Sequence, residues 1–565
     1  MRMTIHTDSI SSDTSPALPA PAALDDPYYY LHNFHTALDW VGTRYADLLG
    51  TEEQAFIGCF ATLPRPAQAL LVRMVMRKGT LFRIGKLRYP EIGDIPAAMA
   101  ALCATNWVID DPDISLTDLF SVLTRPELQR AFGKHLPAGR KAEQLAALAA
   151  DEPAARPLSR WAPSLHDTLY ALTIMPLCDR LRLMFFGNLH QDWSEFVLAE
   201  LGVYRYETVP VDQHSRAFHD AADIDLGLRL HACREALDAG TPVADVLAQL
   251  PQGDAGTDWL QARRERLLFR LGQQAEKDQD FDTALAIYPA CRWPGARARH
   301  IRVLERCGHD RDALTLARHA WQQPENDAEQ QQLTRMMPRL QRRLGEPVER
   351  TARPAPPAEQ VLILPRPDVP QPVEYVVRDH LHSDDAPVYY VENTLITGLF
   401  GLLCWQALFT PLPGAFFHPF HHAPADLLQA DFYPRRQALF DAALAELDDT
   451  RWRETIRRHF HEKSGIQNPF VFWGALDATL LEQALACLPP AHLALWFRRL
   501  LRDIRAHRAG MPDLIRFYPD EHRYDMIEVK GPGDRLQDNQ RRWLAFCAEH
   551  RMPVSVCYLR WADDT

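Results

Sequence analysis

Asp513 ends the run Gly510-Met511-Pro512-Asp513, and fifteen residues later stand Glu528, Val529 and Lys530. Tyr524, Met526, Ile527 and Val529 make the second stretch read as a strand, whose two-residue period puts Glu528 and Lys530 on one face. Asp513 is expected to meet them from the neighbouring strand. Two carboxylates and one ammonium form an oxygen-rich site for Mg²⁺ or Mn²⁺, with a cation left to steady a water or the charge developing on a phosphoryl group. That is the chemistry of phosphodiester hydrolysis. A Glu-Val-Lys strand is also a common solvated edge, so the flanking residues matter. Gly510-Met511-Pro512 sets a turn before Asp513, and Gly531-Pro532-Gly533 stops the second strand just after Lys530, leaving its end open. Leu536 to Phe546 then reads as a helix, with Leu536, Gln540, Trp543 and Leu544 at helical spacing.

These residues spell the PD-(D/E)xK signature. Gly510 to Leu514, continued by Glu528-Val529-Lys530-Gly531-Pro532-Gly533-Asp534-Arg535-Leu536, Gln540 and Trp543-Leu544, resembles the VRR-NUC domain of the Fanconi-associated nuclease family. Glu392, followed by Thr397 to Phe409, resembles that family's nuclease-domain helix with its leading metal-site glutamate; Ala423-Pro424, Asp426-Leu427 and Phe432 extend the likeness over most of residues 373–565. The resemblance implies Asp513 and Glu528 as the main ligands of Mg²⁺ or Mn²⁺, with Glu392 and the Val529 carbonyl completing the shell. Lys530 would orient or help deprotonate the attacking water, and Gln540 would bind phosphate or brace Lys530. It further implies a structure-selective endonuclease cutting near 5′ flaps and branched DNA, with 5′-to-3′ exonuclease activity, in DNA repair including interstrand crosslinks. Residue spacing alone supports a metal-dependent phosphodiesterase. On that basis a different PD-(D/E)xK nuclease, such as a junction resolvase or a single-strand exonuclease, stays open. So does an inert nuclease fold on a protein-binding scaffold, although intact Glu392, Asp513, Glu528 and Lys530 weigh against it.

The elements that must position this chemistry belong to a multidomain, mainly α-helical protein ending in an α/β nuclease domain with a mixed central sheet. At 565 residues the chain has length for three or four cores. Its 47% hydrophobic and 24% charged residues are ordinary for a water-soluble protein. No apolar run reaches membrane-spanning length, residues 1–24 lack the features of a signal peptide and read as a disordered tail, and the ten scattered cysteines suit a reducing compartment. A cytoplasmic or nucleoid location follows, or a nuclear one in a eukaryote.

The formal net charge of −12 is awkward for a nucleic-acid partner, because phosphate neutralisation dominates non-specific affinity. Between Ala61 and Pro90, however, lie Arg65, Arg73, Arg77, Lys78, Arg83, Lys86 and Arg88 with no Asp or Glu. Arg73 and Arg77 are expected one helical turn apart. This run in a helical domain at 25–114 is the first DNA-docking candidate, with Arg73, Arg77, Lys78, Lys86 and Arg88 as contacts. Residues 115–217 hold a second. Leu119, Leu123, Leu128 and Phe132 have helical periodicity, and Gly139-Arg140-Lys141 opens another helix, which is similar to a SAP-type pair with Lys134, Arg140 and Lys141 as its cations. Two simply packed amphipathic helices would look the same.

Residues 218–344 read as a degenerate tetratricopeptide-like array. Phe281-Asp282 with Ala284-Leu285 recurs loosely as Arg311-Asp312-Ala313-Leu314, at an offset of 29 residues. Its expected task is geometric, as a rigid spacer between DNA grip and nuclease. Arg292, Arg297 and Arg299 form a cation-rich turn there that could hold a DNA 5′ end. The prolines between 345 and 372 exclude a helix, yet Val361 to Leu364 could add a strand, so this passage is either a free linker or a docked strap. His418, His421 and His422 lack a second ligand set at zinc spacing and are set aside as an aromatic loop.

Overall fold

The computed structural model describes residues 26–150, 154–191, 193, 204–253, 256–348 and 357–562. The expected tail at 1–24 lies outside them. Two compact units emerge: residues up to Tyr204 with Pro210–Leu228 and Phe417–Phe420, and the remainder of the chain.

In the first unit, helices Tyr29–Arg44 and Arg65–Val75 bury Tyr30, Phe34, Leu70 and Leu71 against one another. Three short strands follow: β1 (Leu81–Arg83), β2 (Val108–Asp110) and β3 (Leu169–Leu172), antiparallel in the order β1-β3-β2. Two expectations fail here. The helix bearing Arg73 ends at Val75, and Gly79 turns the chain with φ +86°, so Arg77 lies beyond the helix and not one turn along it. The periodicity from Leu119 to Phe132 belongs to two helices, Leu116–Val122 and Arg125–Phe132. The break is chemical. Pro126 can enter only the first turn of a new helix, and Glu127 accepts the Thr124 amide at 2.7 Å and the Thr124 hydroxyl at 2.7 Å, closing a cap.

The second unit contains the helical array and the nuclease domain. Helices Asp258–Lys277, Phe281–Ile287, Ala296–Arg306, Asp310–Gln322 and Asp327–Arg343 stack with small residues at their crossings. Ala313, Ala317 and Ala320 are buried with Leu314, Leu333 and Leu340, while Gly272 lets the Tyr288 ring within 2.7 Å of where a Cβ would stand. The repeat is irregular because Phe281–Ile287 is barely two turns long. The expected cation-rich turn is also corrected: Arg297 and Arg299 are on a helix and are engaged by Glu329 and Glu276, and Arg292 is exposed.

Five strands make the nuclease sheet: β4 (Ala358–Leu364), β5 (Val388–Tyr390), β6 (Leu514–Tyr518), β7 (Arg523–Lys530) and β8 (Val554–Trp561), in the order β4-β8-β7-β6-β5. The pairs β4·β8 and β7·β8 are parallel, and β6·β7 and β5·β6 antiparallel, which makes the sheet mixed. All of β4 pairs, from Ala358 opposite Ser555 to Leu364 opposite Trp561. The middle of the proline-rich passage is therefore docked on the sheet as β4; residues 349–356 lie outside the described part. β7 is buried on both faces from Met526 to Lys530, although apolar and charged residues alternate along that stretch. Ile527 and Val529 join a cluster with Val377, Val388 and Leu559, whereas Tyr524 on the opposite face meets the Trp496 ring at 5.8 Å.

Candidate active site

The sheet gathers three distant segments at one end. β5 and β7 run toward that end and β6 leaves it, so Glu392 just after β5, Asp513 just before β6, and Glu528 to Lys530 finishing β7 come together. The Val391 amide extends the β5·β6 ladder by bonding the Asp513 carbonyl at 2.8 Å. The turn before Asp513 depends on glycine. Gly510 has φ +96°, and a Cβ there would stand 2.8 Å from the Asn539 carbonyl carbon.

Each acidic side chain has an identified hold. Asp513 Oδ2 accepts the Val529 amide at 2.8 Å. Glu528 Oε1 accepts from Lys530 Nζ at 2.6 Å and from Gln540 Nε2 at 2.5 Å. Glu392 Oε2 accepts the Tyr390 hydroxyl at 2.6 Å, and Oε1 the Asn393 amide at 3.2 Å. Asn393 Oδ1 in turn accepts the Met511 amide, tying Glu392 to the Asp513 turn.

Gln540 departs from its expected partner. Its amide grips Glu528 and not Lys530, while its Oε1 accepts the Gln537 amide at 2.8 Å and starts helix Asp538–Glu549. Tyr390 and Asn393 are functional neighbours that sequence reasoning misses. Their only signal is proximity, since Tyr390 shares the short strand that leads into Glu392.

Glu528 is fully buried, Asp513 is 5% exposed, and Glu528 Oε2 is buried without a hydrogen-bond partner. Burial is the largest cause raising both acids above the ordinary carboxylate range; Asp513 pushes Glu528 further up, and Glu392 repels both. Burial is the largest single influence on Lys530 and opposes its charge, but the bond to Glu528 and the charges of Glu528, Asp513 and Asp534 together outweigh it and raise the group overall. As the side chains stand, no three His, Cys, Asp or Glu groups among the described residues enclose an ion. The donor set nevertheless fits one. Crowded carboxylates, an unsatisfied buried oxygen and a backbone carbonyl are hard-oxygen ligands of the type Mg²⁺ and Mn²⁺ accept. The carbonyl is that of Val529. It points to the same side of β7 as its N–H, toward Asp513, and the β6 ladder ends at Leu514 opposite Ile527, two residues before it.

The expected DNA contacts divide by environment. Arg73 is taken up inside the fold: its guanidinium lies 3.8 Å from the Tyr30 ring centre and pairs with Glu91 at 2.7 Å. The acid-free run stops one residue before that partner. Arg83 is 7% exposed between Glu127 and Asp167. Lys141 is also committed, donating from Nζ to the Leu123 carbonyl at the end of helix Leu116–Val122. Arg77, Lys78, Lys86, Arg88, Lys134 and Arg140 are exposed. The histidines meet aromatic and backbone neighbours: His418 stacks on Phe185 at 5.0 Å, and His421 Nδ1 lies 3.2 Å from the Ala423 carbonyl. Asp426 is buried in ion pairs with Arg435 and Arg436.

A mixed sheet with Asp513, Glu528 and Lys530 at one end defines a PD-(D/E)xK-type nuclease, and the VRR-NUC domain model matches residues 448–561. The models of the FAN1 HTH domain and the Fanconi anemia-associated nuclease SAP domain match residues 28–109 and 113–161. The Fanconi-associated nuclease 1 homolog of Pseudomonas aeruginosa is 54% identical, covering 97% of this chain and 98% of its own. The homolog of Arabidopsis thaliana is 23% identical, covering 94% of this chain and 67% of the relative. A crystal structure of paFAN1 bound to 2nt 5′flap DNA with gap is similar with a TM-score of 0.89 and 54% identity, over 96% of this chain and 99% of the other. This chain belongs to the Fanconi-associated nuclease family and is a metal-dependent DNA nuclease.

Proposed function

We propose that this nuclease cuts DNA at or near 5′ flaps and related branches, trims in the 5′-to-3′ direction, and serves DNA repair including the removal of interstrand crosslinks. The observation that carries the reading is the near full-length likeness to a structure whose bound nucleic acid is a gapped 5′ flap, combined with the acidic cluster at the ends of β5, β6 and β7.

The residues fit a Mg²⁺ or Mn²⁺ ion held by Asp513, Glu528, Glu392 and the Val529 carbonyl. When bound, such an ion lowers the pKa of a water and stabilises charge on the scissile phosphate and leaving oxygen. Lys530 is held within 2.6 Å of Glu528, where its ammonium can orient the attacking water and offset charge gathering on the phosphate. Gln540 keeps the Glu528 carboxylate turned toward the site, and Tyr390 does the same for Glu392. The exposed cations Arg77, Lys78, Lys86, Arg88, Lys134 and Arg140 supply phosphate contacts, which position the duplex without reading its sequence.

Purified protein on end-labelled 5′ flap, nick, four-way junction and single strand, each with Mg²⁺, Mn²⁺ or EDTA at one salt concentration, tests the reading. Flap cleavage that depends on the metal and exceeds the other substrates supports it. Preference for the junction or the single strand would transfer the chain to another nuclease activity.

A further inference from the structure

The last helix of the array, Asp327–Arg343, reaches the nuclease domain with one stripe of side chains. Asp327, Gln331 and Arg335 are spaced by four residues and so lie on one face. Arg335 forms two parallel bonds to Asp538, Nη1 to Oδ2 at 2.7 Å and Nη2 to Oδ1 at 2.5 Å. Gln331 Oε1 accepts from Arg542 at 2.6 Å. Asp327 meets Arg499 at 3.0 Å and the buried His507 at 3.2 Å, and the His507 carbonyl accepts the indole N–H of Trp543.

Asp538, Arg542 and Trp543 share one helix with Gln540, whose amide holds Glu528. The array therefore grips the site helix on both sides of the residue that orients a carboxylate of the site. Arg335 and Asp538 are each about half exposed, and such a pair contributes little to stability. A bidentate guanidinium–carboxylate pair does, however, fix orientation. The same helix also packs against the Gly510 turn, closely enough that a Cβ at Gly510 would stand 2.8 Å from the Asn539 carbonyl carbon.

We infer that Arg335, with Gln331, is a positioning residue of the nuclease: through Asp538 and Arg542 it sets the helix that places Gln540, and thereby the Glu528 carboxylate, for metal binding. The array is then part of the catalytic apparatus and more than a spacer. This inference rests on the metal-site reading above.

The test is Mn²⁺ titration calorimetry on the full chain without DNA, with thermal melting as a fold control. Arg335→Glu should weaken Mn²⁺ about fivefold to tenfold, below the roughly 10–100-fold expected for a direct partner of a ligand because Arg335 acts through Asp538 and Gln540. Its melting temperature should stay close to that of the parent, DNA affinity in EDTA should change less than about twofold, and Arg335→Lys should recover only part of the loss, because an ammonium keeps the charge but not the paired bonds. Excess Mn²⁺ should restore cleavage. In a Gln540→Ala background, Arg335→Glu should add under about twofold, because the route to Glu528 is already cut. An unchanged Mn²⁺ affinity in folded Arg335→Glu, or full additivity with Gln540→Ala, overturns the inference. If Arg335→Glu does not fold, Arg335→Met with Gln331→Ala is read by the same criteria. Glu528→Ala separates the two failures. If it still binds Mn²⁺ normally, the metal-site reading itself is wrong; if it loses Mn²⁺ while Arg335→Glu does not, only the positioning role falls.

Discussion

At the level of single residues, the site combines groups legible in sequence with groups that are not. Asp513, Glu528 and Lys530 can be read because a strand's period and two glycine-bearing turns restrict where they point. The partner of Gln540 cannot, since helical spacing places a side chain on a face without saying which of two adjacent strand residues it meets. Asp513→Ala or Glu528→Ala should abolish cleavage while DNA affinity stays within a few-fold, because phosphate contacts elsewhere supply most of that affinity; gel shifts beside cleavage assays check this. Tyr390→Phe should leave Glu392 held only by the Asn393 amide, reducing metal affinity or cleavage about 10-fold, as calorimetry and initial rates would report. Wild-type values in that variant would reduce Tyr390 to a packing residue.

At the level of elements, sequence misleads where a local signal meets a partner distant in the chain. Arg73 reads as free because its run holds no acid, yet Glu91 lies just outside that run and folds back onto it. Leu119 to Phe132 reads as one helix because periodicity survives a break when both pieces bury the same face. Glu127 shows why the break matters. It caps the second helix and anchors Arg83 of β1, whose hydrogen bond is the largest cause holding its carboxyl down at about 2, against an ordinary 4.5. A depressed carboxylate stabilises the fold above its unfolded value and ceases to do so as pH falls through its folded one. Glu127→Gln should therefore melt lower at pH 7, and its deficit relative to the parent should shrink between about pH 4.5 and about pH 2. Glu127→Ala should cost up to about 3–5 kcal/mol, toward the lower figure because Asp167 still faces Arg83. Urea titration at several pH values measures both.

At the level of the whole molecule, the strap and the array limit how far the chain can be dissected. A fragment beginning at residue 373, the boundary suggested by sequence, would lose β4, bare the edge of β8, and lose the helix that bonds Asp538. The proline-rich composition hides β4, because a strand is set by its pairing as much as by its own residues. Division of labour is better tested on the full chain. Changing Arg77, Lys78, Lys86 and Arg88 together to Glu should weaken flap binding and flatten its salt dependence, by about 0.9 in slope for each phosphate no longer neutralised. Cleavage should persist at high DNA concentration, and an unchanged slope would make these residues a solvated face. Arg73 is kept out of this set because its loss would be read as misfolding.

The sheet order has a consequence for how the protein comes into being. Glu392, Asp513 and Glu528 are widely separated in sequence and become neighbours only when β6 and β7 pair, near the end of a 565-residue chain. During synthesis the cationic surfaces and the array emerge first, so a nascent or prematurely terminated product has exposed cations but no assembled chemistry. Cutting ability arrives last and all at once, with the same strands that close the sheet. A copy that stops before β7 lacks Glu528 and Lys530, and with them the proposed metal site.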